Sequence, residues 1–309
     1  MLVRVRLILL AGVVAFLATA CTGTPAAAPA ANVKPGTAGA ATATATARPG
    51  GAAPSPSPTS RPKPRPPAPH VRIYRVRASD GAVVTVAVFR GPVRYILHNG
   101  SEDPGYAAAV AGVKAGSAVG GTERKHLLAA FNGGFKLGVG AGGYEQEGHV
   151  ISPLLKGDAS LIIDRSGRAR IGVWGSGAPG RGEAVYSVRQ NLQPLVEHGK
   201  PTQAAYNWYA WGATLGGGEL VARSALGEDQ AGDLLYAGSM SASPADMAQA
   251  LAGHGARIAM ELDINPEWVQ LDVASRPGGS LRAEVPGQYR PANQFIDGWS
   301  RDFITVLAG

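Results

Sequence analysis

The chain has 309 residues and a net charge of +7, from 29 Lys and Arg against 22 Asp and Glu. Seven of the basic residues and no acidic residue lie in residues 1–69, so residues 70–309 hold 22 of each sign. The basic balance belongs to the N-terminal stretch, which argues against a nucleic-acid footprint on the remainder. The single cysteine, Cys21, excludes an intramolecular disulfide and a cysteine-based zinc site.

Residues 1–20 read as an export signal. Arg4 and Arg6 precede Leu7 to Ala18, a run that is uncharged and apolar apart from Gly12, too short to span a bilayer but suited to a secretory h-region. It ends in Leu17-Ala18-Thr19-Ala20-Cys21, which is similar to a bacterial lipobox, with Leu17 four residues ahead of the cysteine where three is usual. The expectation is an exported chain, lipid-anchored through Cys21 to the outer face of the cytoplasmic membrane. Ordinary cleavage near Ala20, giving a secreted protein, is the alternative. Residues 21–69 then form a linker. Twelve of the 23 prolines lie in residues 22–69, among Ala, Thr, Gly and Ser and without an aromatic residue. Such a composition cannot offset the entropy of ordering, and Arg61 to Pro67 suits extended polyproline. A spacer between membrane and wall and a linker without any binding role are both open.

Residues 70–309 read as a strand-rich α+β domain, with a mixed or antiparallel sheet and flanking helices. Val71 to Val76, Val83 to Val88 and Val93 to Leu97 alternate at period two and predict antiparallel strands. Pro104 to Gly116 is Ala-rich and suits a helix. Leu127 to Phe131 is an apolar run that stops at Asn132-Gly133-Gly134. Arg165-Ser166-Gly167-Arg168 predicts a hairpin turn between Leu161–Asp164 and Ala169–Trp174. Leu220 to Leu226 and Leu234 to Ala237 flank a second turn containing Gly227 and Gly232. Ser243-Pro244-Ala245-Asp246 starts a helix, with Ser as N-cap and Pro in the first position, that runs through Leu251 to His254-Gly255. Ile258 to Asp263 is then a strand.

The candidate chemistry sits at strand ends. Gly133 and Gly134 after Asn132 allow a backbone to approach a ligand closely. Asn132 could hold a sugar hydroxyl or a phosphate oxygen, although a Gly-Gly turn is often structural. Glu261 and Asp263, two apart on a strand, share one face, where one acid can raise the pKa of the other; a solvated edge or neutralisation by an arginine is the alternative. Arg223, in an otherwise apolar strand, calls for a phosphate or a carboxylate, and pairing with Asp263 or Glu261 would be structural. The six histidines show no paired metal spacing, and Glu145 and Glu147 near His149 are a weak cation candidate. No cofactor and no metal is implied. Tyr206, Trp208, Tyr209 and Trp211 could stack on sugar rings or fill a core corner.

The order of these pieces resembles the phosphodiester glycosidase family. Four stretches carry the resemblance: Asn132-Gly133-Gly134-Phe135; Arg189-Gln190-Asn191-Leu192 with Pro194-Leu195-Val196; Arg223-Ser224-Ala225-Leu226-Gly227; and Gly255-Ala256 followed by a strand ending in Leu262-Asp263. They span about residues 125–275. The chain departs from the pattern where the family has a glycine-rich loop after Leu-Asp, and carries Ile264-Asn265-Pro266-Glu267-Trp268 instead. The resemblance implies hydrolysis of a sugar-1-phosphodiester, with a carbohydrate or sugar-phosphate of the cell envelope as partner and no nucleic acid. Asp263 would be base or nucleophile, Glu261 a second carboxylate and Asn132 an orienting group. Arg223, Gly133, Gly134, Asn265 and Trp268 would bind substrate and phosphate. The altered loop leaves a second reading open, a non-catalytic lipoprotein that uses the same fold to bind wall glycan.

Overall fold

The computed structural model describes residues 71–309. Cys21, the export signal and the Pro-rich linker lie outside the described residues. Strands β1 (Val71–Arg77), β2 (Val83–Phe89) and β3 (Val93–His98) are followed by short helices α1 (Tyr106–Ala111) and α2 (Gly121–His126) and by β4 (Leu127–Asn132). Next come β5 (Tyr144–Gln146), β6 (His149–Ser152), β7 (Ala159–Ile163), β8 (Ala169–Val173) and β9 (Ser187–Gln190). The short strands β10 (Val196–Glu197) and β11 (Lys200–Pro201) lead through 3-10 turns to the long hairpin β12 (Val221–Asp229) and β13 (Leu234–Ala242). Helix α3 (Pro244–Gly253), β14 (Ala256–Glu261), β15 (Leu271–Ala274), β16 (Leu281–Ala283), α4 (Gln294–Asp297) and β17 (Phe303–Ala308) complete the chain.

These strands form three sheets, in the orders β1-β2-β13-β12-β14-β10-β11, β16-β15-β4-β17-β3 and β6-β5-β9-β7-β8. The ladders are antiparallel throughout the named strands. The protein is therefore a strand-rich α+β fold. Period-two alternation explains the layering. On β2, Val84, Val86 and Val88 face the side on which Met247, Ala248 and Leu251 of α3 pack, while Ala87 and Phe89 face a core shared by all three sheets. In that core Phe131 of β4 stacks on Phe89 at 5.7 Å. Burying a side chain of this size contributes roughly 1.5–3 kcal/mol.

Helix α3 begins as its sequence implies. The Ser243 hydroxyl accepts from the Asp246 N–H, the Asp246 carboxylate accepts from the Ser243 N–H, and Pro244 takes the first position. Elsewhere the structure departs from the sequence reading. The Ala-rich stretch from Pro104 to Gly116 is helical only over Tyr106–Ala111, stopped by Gly112 in the left-handed region. Gly227 lies inside β12, not in the turn after it. A Cβ there would sit 2.8 Å from the Ala256 Cβ, so the glycine permits close packing of β12 against the start of β14.

Candidate functional site

Asn132 closes β4, Gln190 closes β9 and Glu261 closes β14, while Arg301-Asp302 immediately precedes β17. Hydrogen bonds tie these ends and the β12 backbone into one buried polar cluster, so three sheets contribute to it. The Ser224 N–H donates to the Asp263 carbonyl at 2.8 Å and the Leu262 N–H to the Ser224 carbonyl at 2.8 Å, extending the β12–β14 pairing past the strand end. The Asn191 side chain donates to the carbonyls of Glu261 and Leu262, both at 3.0 Å. The sequence segments carried by Asn132, Arg189-Asn191, Arg223-Ser224 and Leu262-Asp263 thus meet in space.

Asn132 is fully occupied within the protein. Its amide donates to the Gly133 carbonyl and the Ser224 hydroxyl, both at 2.8 Å, and its oxygen accepts from the Tyr236 hydroxyl at 3.0 Å and the Gln270 N–H at 3.2 Å. Two donors and two acceptor sites are all that an amide side chain offers. In this structure Asn132 joins β4, β12, β13 and the approach to β15.

Gly133 and Gly134 face an ion pair that their sequence does not reveal. Arg189 donates through Nε to Asp302 Oδ2 at 2.7 Å, and both side chains are buried. The Gly133 N–H donates to the Asp302 carbonyl at 2.9 Å and the Gly134 N–H to its carboxylate at 3.4 Å. A Cβ on Gly133 would overlap the Asp302 carboxylate, and one on Gly134 would lie 2.9 Å from the Arg189 guanidinium carbon. The close approach that the two glycines allow is to Arg189 and Asp302.

Arg223 lies on the same face of the sheet as Ala225 and Glu261, the last two being cross-strand partners. Its Nη1 donates to Glu261 Oε1 at 2.6 Å, its Nε to the Ala242 carbonyl at 3.0 Å and its Nη2 to the Glu219 carbonyl at 3.4 Å. The pair has no solvent-exposed surface on the arginine side, and Glu261 Oε2 is buried without a hydrogen-bond partner. Burial pushes the Glu261 carboxyl upward, and the guanidinium opposes that shift.

Asp263 sits two residues past β14, with 4% of its surface exposed. Its Oδ1 accepts from the N–H groups of Ile264 at 2.8 Å and Asn265 at 2.9 Å. Its Oδ2 lies 3.8 Å from Arg301 Nη2. Burial pushes its pKa up to about 7, against the pull of Arg301 and the two backbone donors. A carboxyl poised there can hold or release a proton near neutral pH.

Arg301 links Asp263 to the rest of the cluster. It donates to the Gly134 carbonyl at 3.1 Å, approaches Asp103 Oδ2 at 3.3 Å and stacks 5.2 Å from the Trp268 ring. Trp268 is half-buried, edge-on to Trp299 at 5.4 Å, and Arg290 lies 5.9 Å from its ring. Asn265 shapes the turn. Its side-chain oxygen accepts from the Glu267 N–H at 3.0 Å, and its carbonyl accepts from the Trp268 N–H at 2.9 Å. Arg189, Arg301, Asp302 and Asp103 were not singled out by the sequence reading. Arg189 lies within the stretch Arg189-Gln190-Asn191-Leu192, whereas the local mark of Arg301-Asp302 is its place just ahead of the final apolar strand.

Other sequence candidates are placed elsewhere. Trp211 is buried, its indole N–H donating to the Ala204 carbonyl at 2.8 Å, so it fills the core beneath α3. Tyr206 and Tyr209 are exposed, and Trp208 stacks on Tyr209 at 3.7 Å. The Glu147 carboxylate accepts from the N–H groups of Lys114 and Ala115, a structural use that competes with cation binding. Among the described residues no three His, Cys, Asp or Glu side chains are grouped as a metal site.

No protein-family model matches the sequence, and no curated protein matches it. Solved structures with a similar chain course include the catalytic domain of zebrafish N-acetylglucosamine-1-phosphodiester alpha-N-acetylglucosaminidase, auto-inhibited by its pro-peptide. Identity there is 14%, with 79% of this chain and 85% of that chain covered and a TM-score of 0.48. A protein from Synechocystis is 14% identical, with 77% of this chain and 62% of that chain covered and a TM-score of 0.45. Both likenesses are distant ones of fold.

Proposed function

We propose that this chain is an exported hydrolase of glycosidase type, anchored through Cys21 and acting on a sugar-1-phosphodiester or related glycan of the cell envelope. The observation that carries this reading is the Asp263 carboxyl, held near neutrality by burial at a strand end and facing Arg301. In its ionised form Asp263 takes a proton from water as the water oxygen bonds to the anomeric carbon. The bond from that carbon to the phosphate oxygen breaks, and the electron pair leaves with the phosphate. Phosphate is a good leaving group and needs less acid assistance than an alcohol, so one well-placed carboxylate and a cation meet the demand. The cation assigned to the departing phosphate is Arg301, whose side chain keeps 10% of its surface exposed, whereas that of Arg223 is fully buried against Glu261. Glu261 and Arg223, behind Asp263, act as positioning residues. Trp268 supplies a flat apolar surface beside Arg301.

The second reading, a wall-glycan binding lipoprotein, is favoured by the exposed Tyr206 and Tyr209 and by the engagement of Asn132 and Arg223 within the protein. Incubating the purified chain with a panel of sugar-1-phosphate diesters separates the two. Release of free reducing sugar supports the hydrolase. Saturable binding without product supports the module.

A further inference from the structure

His98, the last residue of β3, lies outside the Asp263 cluster and is buried, with 1% of its surface exposed. Both of its ring nitrogens meet acceptors. Nδ1 is 2.7 Å from the carbonyl of Gly116, in the stretch 112–120 between α1 and α2, and Nε2 is 2.8 Å from Glu123 Oε1 on α2. A carbonyl has no proton to give, so Nδ1 carries one and donates it. The Nε2 contact needs a second proton, since a neutral ring would otherwise turn a lone pair on a carboxylate oxygen. Thr305 places that proton on the ring. Its hydroxyl donates to the same Glu123 Oε1 at 2.6 Å. An ionised carboxylate oxygen accepts two such bonds, whereas the O–H of a neutral acid is a poor acceptor. Burial raises the Glu123 carboxyl, but the bonds from His98 and Thr305 outweigh it and hold the group below its ordinary value.

The surroundings leave Glu123 as the counter-ion of the ring. Among the described residues no other charged side chain pairs with it. From β17 the Phe303 ring stacks on it at 4.4 Å. From β5 the Tyr144 hydroxyl donates to the His98 carbonyl at 3.2 Å, and the Gln146 amide donates to the Leu97 and Ala115 carbonyls at 2.9 and 2.8 Å. The Glu147 carboxylate turns instead to the Lys114 and Ala115 N–H groups. Helix α2 buries none of its own residues, and its Lys125 and His126 are exposed. Polar ties seat it: Glu123 to His98 and Thr305, and Arg124 to the Gly279 carbonyl at 3.1 Å.

We propose that His98 is an imidazolium in the folded protein and acts as a proton-dependent clasp, which fastens α2 and the stretch 112–120 to the edge formed by β3 and β17. With its second proton the ring holds both acceptors through charge-assisted bonds. Without it the Nε2 lone pair faces the Glu123 carboxylate, the tie becomes a repulsion, and α2 is left to Arg124 and Thr305. The clasp is therefore present at low pH and lost as pH rises. Its place connects it to the polar cluster. His98, Phe303 and Asn132 form one row across β3, β17 and β4, and α2 runs directly into β4.

The test is nuclear magnetic resonance of the ¹⁵N-labelled full chain, with the His98 ring signals identified by their cross-peaks to the Phe303 ring. At pH 6 a proton on both ring nitrogens is expected. Raising the pH should remove the Nε2 proton, and the ¹H–¹⁵N NOE values of residues 121–126 should fall on the same curve as α2 loosens. Glu123→Gln, at a side chain that is 18% exposed, offers Nε2 an amide donor in place of the carboxylate. That variant should show one ring proton at pH 7 and level NOE values as pH rises. An Nε2 without a proton at pH 6 in the parent would overturn the proposal. So would NOE values that stay level while the ring titrates, a ring that keeps both protons until the protein unfolds, or the parent's pH response unchanged in Glu123→Gln.

Discussion

Asp263→Asn should stabilise the protein more at pH 8 than at pH 5. The carboxyl is buried, and its pKa moves from the ordinary 3.8 to about 7 on folding, a change equivalent to about 4 kcal/mol. A folded-state pKa above the unfolded one means that the native protein retains a proton the unfolded chain gives up. The contribution is full below the unfolded pKa and is lost as pH rises through about 7. Asparagine keeps an oxygen for the Ile264 and Asn265 N–H groups and does not titrate. It forgoes the attraction of Arg301 at 3.8 Å, a constant loss once the acid is ionised. From pH 5 to pH 7 the wild-type carboxyl loses about 3 kcal/mol that the amide does not. Urea unfolding followed by tryptophan fluorescence at pH 5 and pH 8 measures this directly. The stability difference between variant and parent should shift toward the variant by about 3 kcal/mol between the two. Parallel pH dependences would show that Asp263 is not a desolvated acid, and the reasoning would fail.

Other outcomes follow from the same geometry. Arg223→Met leaves Glu261 buried without its cation and should cost about 3–5 kcal/mol in urea unfolding, much of it regained in the Arg223→Met/Glu261→Met double variant. Gly133→Ala forces a Cβ onto the Asp302 carboxylate and should cost about 3 kcal/mol or more, seen as a lowered Tm. Ser243→Ala removes one half of the reciprocal cap on α3 and should cost about 1 kcal/mol by the same measurement.

What could be read from the residues was local. The period-two runs of β1, β2 and β3 and the Ser243-Pro244-Asp246 start of α3 are governed by neighbours a few positions away. Motif order suggested that the stretches carrying Asn132, Arg223 and Asp263 meet; it did not show that Ser224, beside Arg223, is the residue that bonds to both Asn132 and Asp263. Arg189 and Asp302 are 113 residues apart, and neither carries a local mark of the other. Two glycines beside an asparagine look like a ligand loop, and only the placement of Asp302 shows what the missing side chains make room for. Arg223 could have met a phosphate or an acid. The pairing of Ala225 with Glu261 decides it, because it puts the acid on the same face, within reach of the guanidinium. Trp211 illustrates the same limit: the aromatic run left sugar stacking and a core corner both open, and only the fold shows that this ring fills the core.

The most direct test of the proposed function is the rate of free-sugar release from a sugar-1-phosphodiester by the purified chain between pH 5 and pH 9, beside Asp263→Asn. The account predicts release whose kcat/KM rises with pH through about 7, as Asp263 ionises, and falls by about 10²–10⁴ in the variant. No release above buffer across the diester panel, or an Asp263→Asn rate equal to the parent's, would contradict it.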